Sequence, residues 1–397
     1  AALYSRSGKE YNNSTESNIV TQEEGVNMRT EILQKAIELR HNLHCQPELS
    51  GQETRTKQVL MQFIKDNSNL QVTDRGKWFY AEYHPQGKSR GSMAFRADMD
   101  AIKVLEDDTL PYASVNSGVA HKCGHDGHSA SLAAFAAVLS ERGADKDVYL
   151  VFQHGEETGE GGEPCSVLIE EKQIEEIYAL HNFPGYEEGA LLLREGTVNC
   201  ASKGVEITFT GTSAHASQPE KGKNPAFAVS ETVLALKEIA DQSKYEGLIL
   251  ATVVQVDIGE RAFGVSAHKG KLLLTIRGQI EAEMDRLQAQ IEAFARKEAE
   301  RYGLEIDFAY YDAFPETFNH KESIEKVKQI AAEKGWKTEE LSDPIRSSED
   351  FGWFLKKAPG ALIWMGAGFD CTPLHSEDFD YNDRLIERSV DFFEGML

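Results

Sequence analysis

The sequence lacks several features that would each assign it to a particular class of protein. Its 397 residues include only five cysteines, and these are scattered along the chain. An odd number of widely spaced cysteines argues against a disulfide framework and favours a reducing compartment, so we expect the protein in the cytoplasm. No apolar run approaches the roughly 20 residues that a membrane-spanning helix needs, so we expect no membrane partner.

Positive charge is also scarce. Lys and Arg number 42 against 65 Asp and Glu, which gives a formal net charge of −23. An acidic surface repels the phosphate backbone, so nucleic acid is not an expected partner. The chain does not begin with basic residues followed by an apolar stretch, so we expect no secretory signal. Residues 1–27 are polar and aperiodic, and we expect an N-terminal extension without chemistry there.

Strand and helix patterns alternate over residues 28–201. A helical pattern over 30–43 ends before Pro47, because proline does not continue a helix. Short apolar strands and a helix rich in small residues follow, and this order is typical of an α/β domain with a largely parallel sheet. The predicted elements are strands 93–97, 148–153 and 177–180 and a helix over 129–139.

The pattern changes near Ser202. Val205, Ile207 and Phe209 alternate with polar residues, and this period of two indicates a half-exposed strand. The elements then follow the order β-α-β-β-α-β, so we predict an inserted ferredoxin-like α+β domain over 202–312. The α/β pattern resumes over 313–397. Predicted in these two segments are helices 225–239, 283–302, 321–334, 349–357 and 383–396 and strands 248–256, 272–280, 304–311 and 361–365.

Metal-capable side chains follow strands or open a helix in four segments. These segments are 93–100, 121–128, 151–157 and 178–182. A fifth candidate, His375, lies in the loop after the last predicted strand. Because the carboxyl ends of parallel strands form one crevice, these side chains should converge there. Thiolate and imidazole ligands suit zinc, manganese or cobalt-like ions, so we predict a metal site in this crevice.

An alternative chemistry is a nucleophilic Cys123 with His125 or His128 as its base. The carboxylates expected in the same crevice argue against it, because they would raise the pKa of a thiol unless cations offset their charge. These carboxylates are Asp98, Asp100, Asp126, Glu156 and Glu157. Metal ions resolve that conflict, and we therefore favour the metal site.

Further segments accompany these motifs. They are Arg40-His-Asn-Leu-His44, Pro47-Glu-Leu, Arg96-Ala-Asp-Met-Asp100, Gly155-Glu-Glu157, Ala179-Leu-His181-Asn and Leu374-His375-Ser-Glu-Asp-Phe379. Together with Cys123-Gly-His-Asp-Gly-His128, they resemble the metallopeptidase family of aminoacylase and carboxypeptidase G. The most similar branch holds hippurate hydrolases and plant auxin-conjugate amidohydrolases. The resemblance runs from about residue 28 to the C-terminus, and the Cys-Gly-His-Asp-Gly-His motif is specific to this branch.

The resemblance implies a mostly parallel-sheet catalytic domain with two divalent metal ions, zinc, manganese, cobalt or nickel, and an inserted lid that mediates dimerisation. Glu156 matches the general base, and Asp100 matches a carboxylate that orients a ligand. His215, in Gly211-Thr-Ser-Ala-His215, matches the lid histidine that acts on the substrate. Other branches carry a histidine where this chain has Asp98, so Asp98 is not assigned. The positions that match metal ligands are Cys123, His125, Glu157, His181 and His375.

We therefore expect a metal-dependent amidohydrolase that cleaves a small N-acyl amino acid with metal-activated water. Asn224-Pro225 stands where the family commonly has Asp-Pro, and His154-Gly155 stands where it commonly has Pro-Ala; both departures leave the substrate open. A dipeptidase or carboxypeptidase of the same family, acting on a short peptide, is one alternative. A catalytically inactive, metal-stabilised binding protein is another, although a general base is needed only for chemistry. The other expected partner is a second copy of the chain, in a homodimer or higher homo-oligomer through the lid.

Overall fold

A computed structural model describes residues 13–107 and 109–397, with side chains from Arg29 onward. The first 12 residues of the expected N-terminal extension lie outside the described residues. The helices are α1 Asn13–Cys45, α2 Thr54–Asn67, α3 His125–Arg142, α4 Gly162–Lys172, α5 Ala226–Ile239, α6 Glu281–Tyr302, α7 Lys321–Lys334, α8 Gly352–Leu355 and α9 Arg384–Met396. Helix α1 thus begins inside the segment that the sequence assigns to the extension.

The strands belong to one large sheet, one smaller sheet and a short two-stranded pair. They are β1 Gln71–Asp74, β2 Phe79–Tyr83, β3 Ser92–Asp98, β4 Asp147–Gln153, β5 Glu176–Phe183, β6 Leu191–Leu193, β7 Gly196–Asn199, β8 Ala201–Thr210, β9 Ile249–Ile258, β10 Lys269–Gly278, β11 Glu305–Phe314, β12 Thr317–Asn319, β13 Thr338–Glu340 and β14 Gly360–Gly366.

The large sheet has the strand order β1-β2-β4-β3-β5-β14-β6-β13 within the described residues. Strands β4, β3, β5 and β14 are parallel neighbours, whereas β2 pairs antiparallel with β4. Because parallel strands need crossover connections, helices cover both faces of this sheet. This arrangement confirms the predicted α/β class with a mostly parallel sheet.

The smaller sheet is antiparallel and has the order β11-β8-β10-β9. Val205, Ile207 and Phe209 are buried on β8, as their period-two spacing predicts, and they pack with α5 and α6 into a separate hydrophobic core. The chain enters this sheet at β8 and leaves it at β11, so the ferredoxin-like unit is inserted between β7 and β12. We call it the lid.

Helix α3 lies at the centre of the larger core. Its small side chains, which include Ala130, Ala133, Ala134 and Ala136, are fully buried. Such residues let neighbouring elements approach closely, and α1, α9 and β3 all pack against α3. The N-terminus of α3 is thereby held against the carboxyl ends of the parallel strands.

One predicted helix is longer than the observed one. The sequence predicts a helix over 349–357, but only the single turn of α8 forms there, at Gly352–Leu355. Glu349 accepts a hydrogen bond from the Phe351 backbone N–H, and Asp350 accepts one from Gly162 N, so these two acids hold a loop instead of a helix turn. Within the described part of the chain, no helix is both long and apolar enough to cross a membrane.

Candidate metal centre

The expected site residues lie at the carboxyl ends of adjacent parallel strands. Asp98 ends β3, and Asp100 follows it two residues later. Glu156 and Glu157 occupy a turn just after β4, and His181 lies near the end of β5. Strand β3 lies between β4 and β5, so the carboxylates and the imidazole converge as the strand pattern predicts.

Cys123 and His125 come from the loop that opens α3. The N-cap Gly124 has a φ of +100°, a conformation that side chains other than glycine rarely adopt. A Cβ atom at Gly124 would lie 2.3 Å from Oδ1 of Asn182, and one at Gly127 would lie 2.4 Å from the Tyr381 ring. Both glycines of the motif therefore allow α3 to start against its neighbours.

The predicted ligands form two overlapping groups. The ligand atoms of Cys123, His125 and His181 lie within 4.8 Å of one another, and so do those of Cys123, Glu157 and His375. Cys123 Sγ is 3.6 Å from His181 Nε2, and His375 Nε2 is 3.3 Å from Glu157 Oε1. Two sets of three ligand atoms that share one thiolate suit a pair of neighbouring divalent cations.

Two buried polar atoms in these groups indicate whether cations fit the site. His125 Nε2 and Glu157 Oε1 are buried and have no hydrogen-bond partner within the described residues. Buried polar atoms are nearly always satisfied, so these two need an additional partner. His125 Nε2 lies 3.8 Å from carboxylate oxygens of both Glu156 and Glu157, a spacing that leaves room for an ion between them. The donor set therefore fits bound cations.

Asp100 contacts two of the expected ligands, His125 and Glu157. Its Oδ1 lies 3.1 Å from Nδ1 of His125, so that Nε2 of the imidazole faces the cluster. Its Oδ2 accepts hydrogen bonds from the backbone N–H of Glu157 at 3.0 Å and from Ser50 Oγ at 2.7 Å. A carboxylate that fixes the ring and the backbone of two ligands matches the orienting role that the resemblance implies.

The charges around His125 favour bound protons, which a metal cation would replace. Burial disfavours its imidazolium, but Asp98 and Asp100 outweigh this and raise the pKa of His125 to about 10. Burial, together with Glu349 and Glu157, raises the pKa of Glu156 well above its ordinary value. Burial, together with Glu157 and Glu156, raises the pKa of the Cys123 thiol well above its ordinary value. Without cations, the cluster therefore retains protons that a bound metal would displace.

A buried ion cluster that was not predicted from the sequence lies beside this centre. Arg96 is 1% exposed, and its guanidinium lies 2.6 Å from Asp98, 3.0 Å from Glu349 and 2.9 Å from Asp350. Glu349 and Asp350 also lie near Glu156. Neither acid follows a predicted strand, and they were assigned to a helix, so no strand-end signal marked them.

Asp98 lies 3.8 Å from Nε2 of the predicted ligand His125 and also contacts two residues that are not predicted ligands. Its Oδ1 lies 2.7 Å from Nδ1 of His128, and its Oδ2 accepts from Arg96. His128 Nε2 lies 2.6 Å from Oδ1 of Asn182, which follows His181 directly. Asp98 and His128 thus link β3, α3 and β5 behind the ligand cluster.

A cavity of about 370 Å³ opens onto the ligand cluster. Arg277, near the end of lid strand β10, lines it, and its Nη1 donates to Ser348 Oγ at 2.6 Å. Among the described residues no carboxylate forms an ion pair with Arg277, and burial lowers its pKa. This arginine was not among the site residues predicted from the sequence. The cavity is lined by Cys123, Glu156, Glu157, His181, Arg277, Phe314, Ser347, Ser348, Glu349, Trp364, Leu374 and His375.

His215 is the one expected site residue that neither lines this cavity nor contacts the ligand cluster; His125 and Asp100 do not line the cavity either, but His125 belongs to the cluster and Asp100 contacts it. It is exposed on a lid loop, where its Nδ1 lies 2.7 Å from Ser217 Oγ. Its backbone bridges to Val265, and Ala216 N donates to Gly264 O, so two lid loops form a projecting tip. Phe263, at that tip, is 92% exposed.

Comparison with known proteins identifies related sequences and structures. The family model described as peptidase family M20/M25/M40 matches residues 94–397, which is more than half of the chain. The chain is 28% identical over 361 residues to a hippurate hydrolase of Campylobacter jejuni, with 89% of this chain and 94% of that protein covered. It is also 28% identical over 362 residues to an N-acetyldiaminopimelate deacetylase of Exiguobacterium sibiricum, with coverages of 89% and 96%.

Solved structures share the fold. A Bacillus subtilis protein described as a dinuclear metal binding peptidase from the M20 family superposes with a TM-score of 0.77 at 23% identity. The match covers 92% of this chain and 98% of that one. The agreement therefore extends over both the parallel sheet and the inserted antiparallel sheet.

Proposed function

The chain belongs to peptidase family M20/M25/M40 and is an amide-bond hydrolase, and from this premise we propose that it cleaves small N-acyl amino acids with two bound divalent cations. One observation carries the substrate assignment. The guanidinium of Arg277, which pairs with no carboxylate among the described residues, lines the same cavity as the metal-ligand cluster. An N-acyl amino acid presents a carboxylate next to its amide bond. A single cavity of this kind can therefore hold both groups.

The cations would be held by the five predicted ligands, with Cys123 common to both groups. Bound divalent ions polarise an amide carbonyl and lower the pKa of water, so they supply the chemistry that the side chains lack. Zinc, manganese, cobalt or nickel all suit a set that mixes thiolate, imidazole and carboxylate. The five ligands are Cys123, His125, Glu157, His181 and His375.

Glu156 acts as the general base in this proposal. It is 5% exposed, lines the cavity and lies beside Glu157, the neighbour that binds metal. Its carboxylate takes a proton from water and gives it to the leaving amine. Burial and nearby acids raise the pKa of Glu156 in the absence of cations. Bound cations would lower this pKa toward the range in which one carboxylate can both accept and return the proton.

Substrate recognition divides between the two ends of the cavity. Arg277 pairs with the substrate carboxylate, and a guanidinium binds a carboxylate through two parallel hydrogen bonds. Phe314, Trp364 and Leu374 supply an apolar wall for the acyl group. The names of two relatives, hippurate hydrolase and N-acetyldiaminopimelate deacetylase, both describe the removal of an acyl group from an amino acid.

The active form proposed here is a homodimer assembled through the lid. Strand β9 lies at the edge of the lid sheet, and Val254 and Val256 are exposed on it. Such an edge readily pairs with another strand. In a dimer the exposed His215 would enter the cavity of the second copy and contact the substrate, with Phe263 beside it. The five cysteines are all free thiols, which supports the cytoplasm as the compartment.

A hydrolysis panel with metal-reconstituted protein tests this function. It compares N-acetyl and N-benzoyl amino acids, their carboxamide analogues and unblocked dipeptides. We expect amino acid release from the acyl amino acids and little from either other set. Arg277→Met should raise KM for the carboxylated substrates and remove their advantage over the carboxamides. Arg346→Met removes the same charge from an exposed neighbouring position and serves as the control. Preferential release from dipeptides would show a peptidase instead.

A further inference from the structure

The acidic turn that carries Glu156 and Glu157 is held by a loop from another part of the chain. We call residues 155–161 the base turn and residues 46–53, between α1 and α2, the bracing loop. Glu53 Oε1 accepts a hydrogen bond from the Gly155 backbone N–H at 2.8 Å and another from Gly51 N at 2.9 Å. The first of these bonds joins the bracing loop to the first residue of the base turn.

The Glu53 side chain is directed away from its own helix. It occupies the N-cap position of α2, yet it makes no capping hydrogen bond there. Glu48 caps that helix instead, because its carboxylate accepts from the backbone N–H groups of Arg55 at 3.1 Å and Thr56 at 2.7 Å. Two acids of one loop thus have separate tasks, and only Glu53 reaches the base turn.

Glu53 is buried at an energetic cost. It is 4% exposed, and burial together with the nearby Asp100 raises the pKa of its carboxyl to about 7. An apolar residue would avoid this cost but would leave the Gly155 N–H without an acceptor. Gly155 has a φ of +59°, a left-handed conformation that favours glycine, so the turn starts at a residue whose only anchoring groups are those of its backbone.

The bracing loop holds the site at a second point. Ser50 Oγ donates to Asp100 Oδ2 at 2.7 Å, and the same oxygen accepts from the Glu157 N–H at 3.0 Å. The two acceptors therefore fix the backbone of the base turn on either side of Glu156, at Gly155 and at Glu157. The loop itself is attached to the segment that follows β3, since Ala101 N donates to Glu48 O at 2.9 Å.

The opposite side of the base turn faces the lid connection. A Cβ atom at Gly159 would lie 2.9 Å from the backbone oxygen of Ala313 and 3.3 Å from the Phe314 ring. These residues end β11, where the chain leaves the lid. The base turn is thus packed between the lid connection and the bracing loop, and the bond to Glu53 fixes its position against the catalytic sheet.

We propose that Glu53 and Ser50 are positioning residues, which set the direction of Glu156 through the base turn and touch neither substrate nor metal. The proposal rests on the proposed role of Glu156 as the base. Because a small displacement of a catalytic group is costly, Glu53→Ala should lower kcat on the order of 10- to 100-fold. KM should change little, since Arg277 and the cavity wall are untouched. Glu53→Gln should keep most of kcat, because its amide oxygen can accept both N–H groups.

The test combines kinetics with hydrogen exchange of the base turn, measured by mass spectrometry in metal-free and metal-loaded protein. Glu53→Ala should accelerate exchange in peptides that cover 155–161, and Ser50→Ala should lower kcat with unchanged melting temperature. Glu48→Ala is the matched control; it should lower the melting temperature but leave kcat and exchange at the base turn unchanged. The proposal is overturned if Glu53→Ala behaves like Glu48→Ala, or if Glu53→Gln is as impaired as Glu53→Ala. Exchange also distinguishes the two hypotheses: if the wild type cleaves no amide, the proposed function fails, while exchange still shows whether Glu53 holds the turn.

Discussion

His375 Nε2 lies 3.3 Å from Oε1 of Glu157, although one residue follows β4 and the other follows β14. His375 has a φ of +65°, which is uncommon for a residue with a side chain. A strained backbone that brings an imidazole against a buried carboxylate indicates a functional constraint. A cation bound by both side chains would be such a constraint, and removal of the metal tests this.

Removal of the metal ions should abolish turnover and should leave the ligand side chains less ordered. Dialysis against a chelator should stop amide hydrolysis, and manganese, zinc or cobalt should restore it. Since the pKa of His125 is raised to about 10 without metal, binding should release protons near neutral pH. Calorimetry in buffers of different ionisation enthalpy measures that release. Full activity in protein shown to be metal-free by elemental analysis would contradict the prediction.

Cys123 should react with iodoacetamide only when the metal is absent. A bound cation holds the thiolate and shields it from alkylation. In the metal-free protein, burial and the neighbouring Glu157 and Glu156 raise the pKa of the Cys123 thiol, so the alkylation rate should increase with pH. Peptide mass spectrometry measures both rates. A covalent acyl adduct on Cys123 during turnover would show that it is the nucleophile.

Glu156→Gln should lose turnover but keep metal. The substitution preserves size and hydrogen bonding but cannot accept the proton from water. Loss of general-base catalysis costs on the order of 10²- to 10⁴-fold, and we expect a loss of this size in kcat. Metal content, measured by elemental analysis, should remain close to that of the wild type. Glu157→Gln is the matched comparison and should lose metal. If the two variants show the opposite pattern, the roles of the adjacent acids are exchanged.

The sequence predicted the fold best where one hydrophobic pattern is dominant. The alternation of Val205, Ile207 and Phe209 located β8, and the predicted helix over 321–334 has the bounds of α7. Elements without such a pattern were not predicted, among them β1, β6 and β13, which are short and lie toward the edges of the large sheet. The predicted helix over 349–357 included Glu349 and Asp350, yet both side chains bind Arg96, and Asp350 also accepts from the backbone of Gly162.

The candidate site was predictable to the extent that it follows strands. Cys123, Glu157 and His181 are near strand or helix ends, and the structure brings these three side chains to one cavity. Arg277 and Glu53 carry no such signal, because an arginine at a polar position of an alternating strand and a glutamate at a helix start are common in any chain. Only the tertiary contacts between distant segments reveal what these two side chains do.

Stability should depend on the protonation of His44. Its Nδ1 lies 2.8 Å from Asp126 and its Nε2 lies 2.7 Å from Glu106, and Arg40 binds Asp126 as well. Burial disfavours the imidazolium, but the two carboxylates outweigh it and raise the pKa of His44 to about 8.

The pKa of His44 is higher in the folded protein than in the unfolded one, where it is about 6.5. The contribution of His44 to the free energy of unfolding is therefore complete below pH 6.5 and is lost as the pH rises through 8. A shift of this size corresponds to about 2 kcal/mol. The difference in the free energy of unfolding between wild type and His44→Gln should therefore be larger at pH 6 than at pH 9, by about that amount. Urea unfolding of metal-free protein measures it. A difference independent of pH would contradict the assigned pKa.

His215 should act on the substrate held by the other copy of the chain. It is exposed at the lid tip and does not line the cavity of its own chain, so His215→Ala should lower kcat and leave metal content unchanged. Mixing two variants tests whether His215 acts in the cavity of its own chain or in that of the second copy. His215→Ala and Glu156→Gln are each expected to be inactive as homodimers. In a mixed dimer, the cavity with an intact Glu156 would receive an intact His215 from its partner.

Random reassociation of equal amounts should therefore restore about a quarter of wild-type activity, because half of the dimers are mixed and each has one complete site. Native mass spectrometry checks that mixed dimers form, and mixing each variant with itself is the control. A contribution within the same chain leaves one mixed-dimer site without its base and the other without its histidine, so activity would not recover. Full activity of His215→Ala alone would instead make His215 a hydrogen-bonded residue of the lid loop, held by Ser217, with no contact to the substrate.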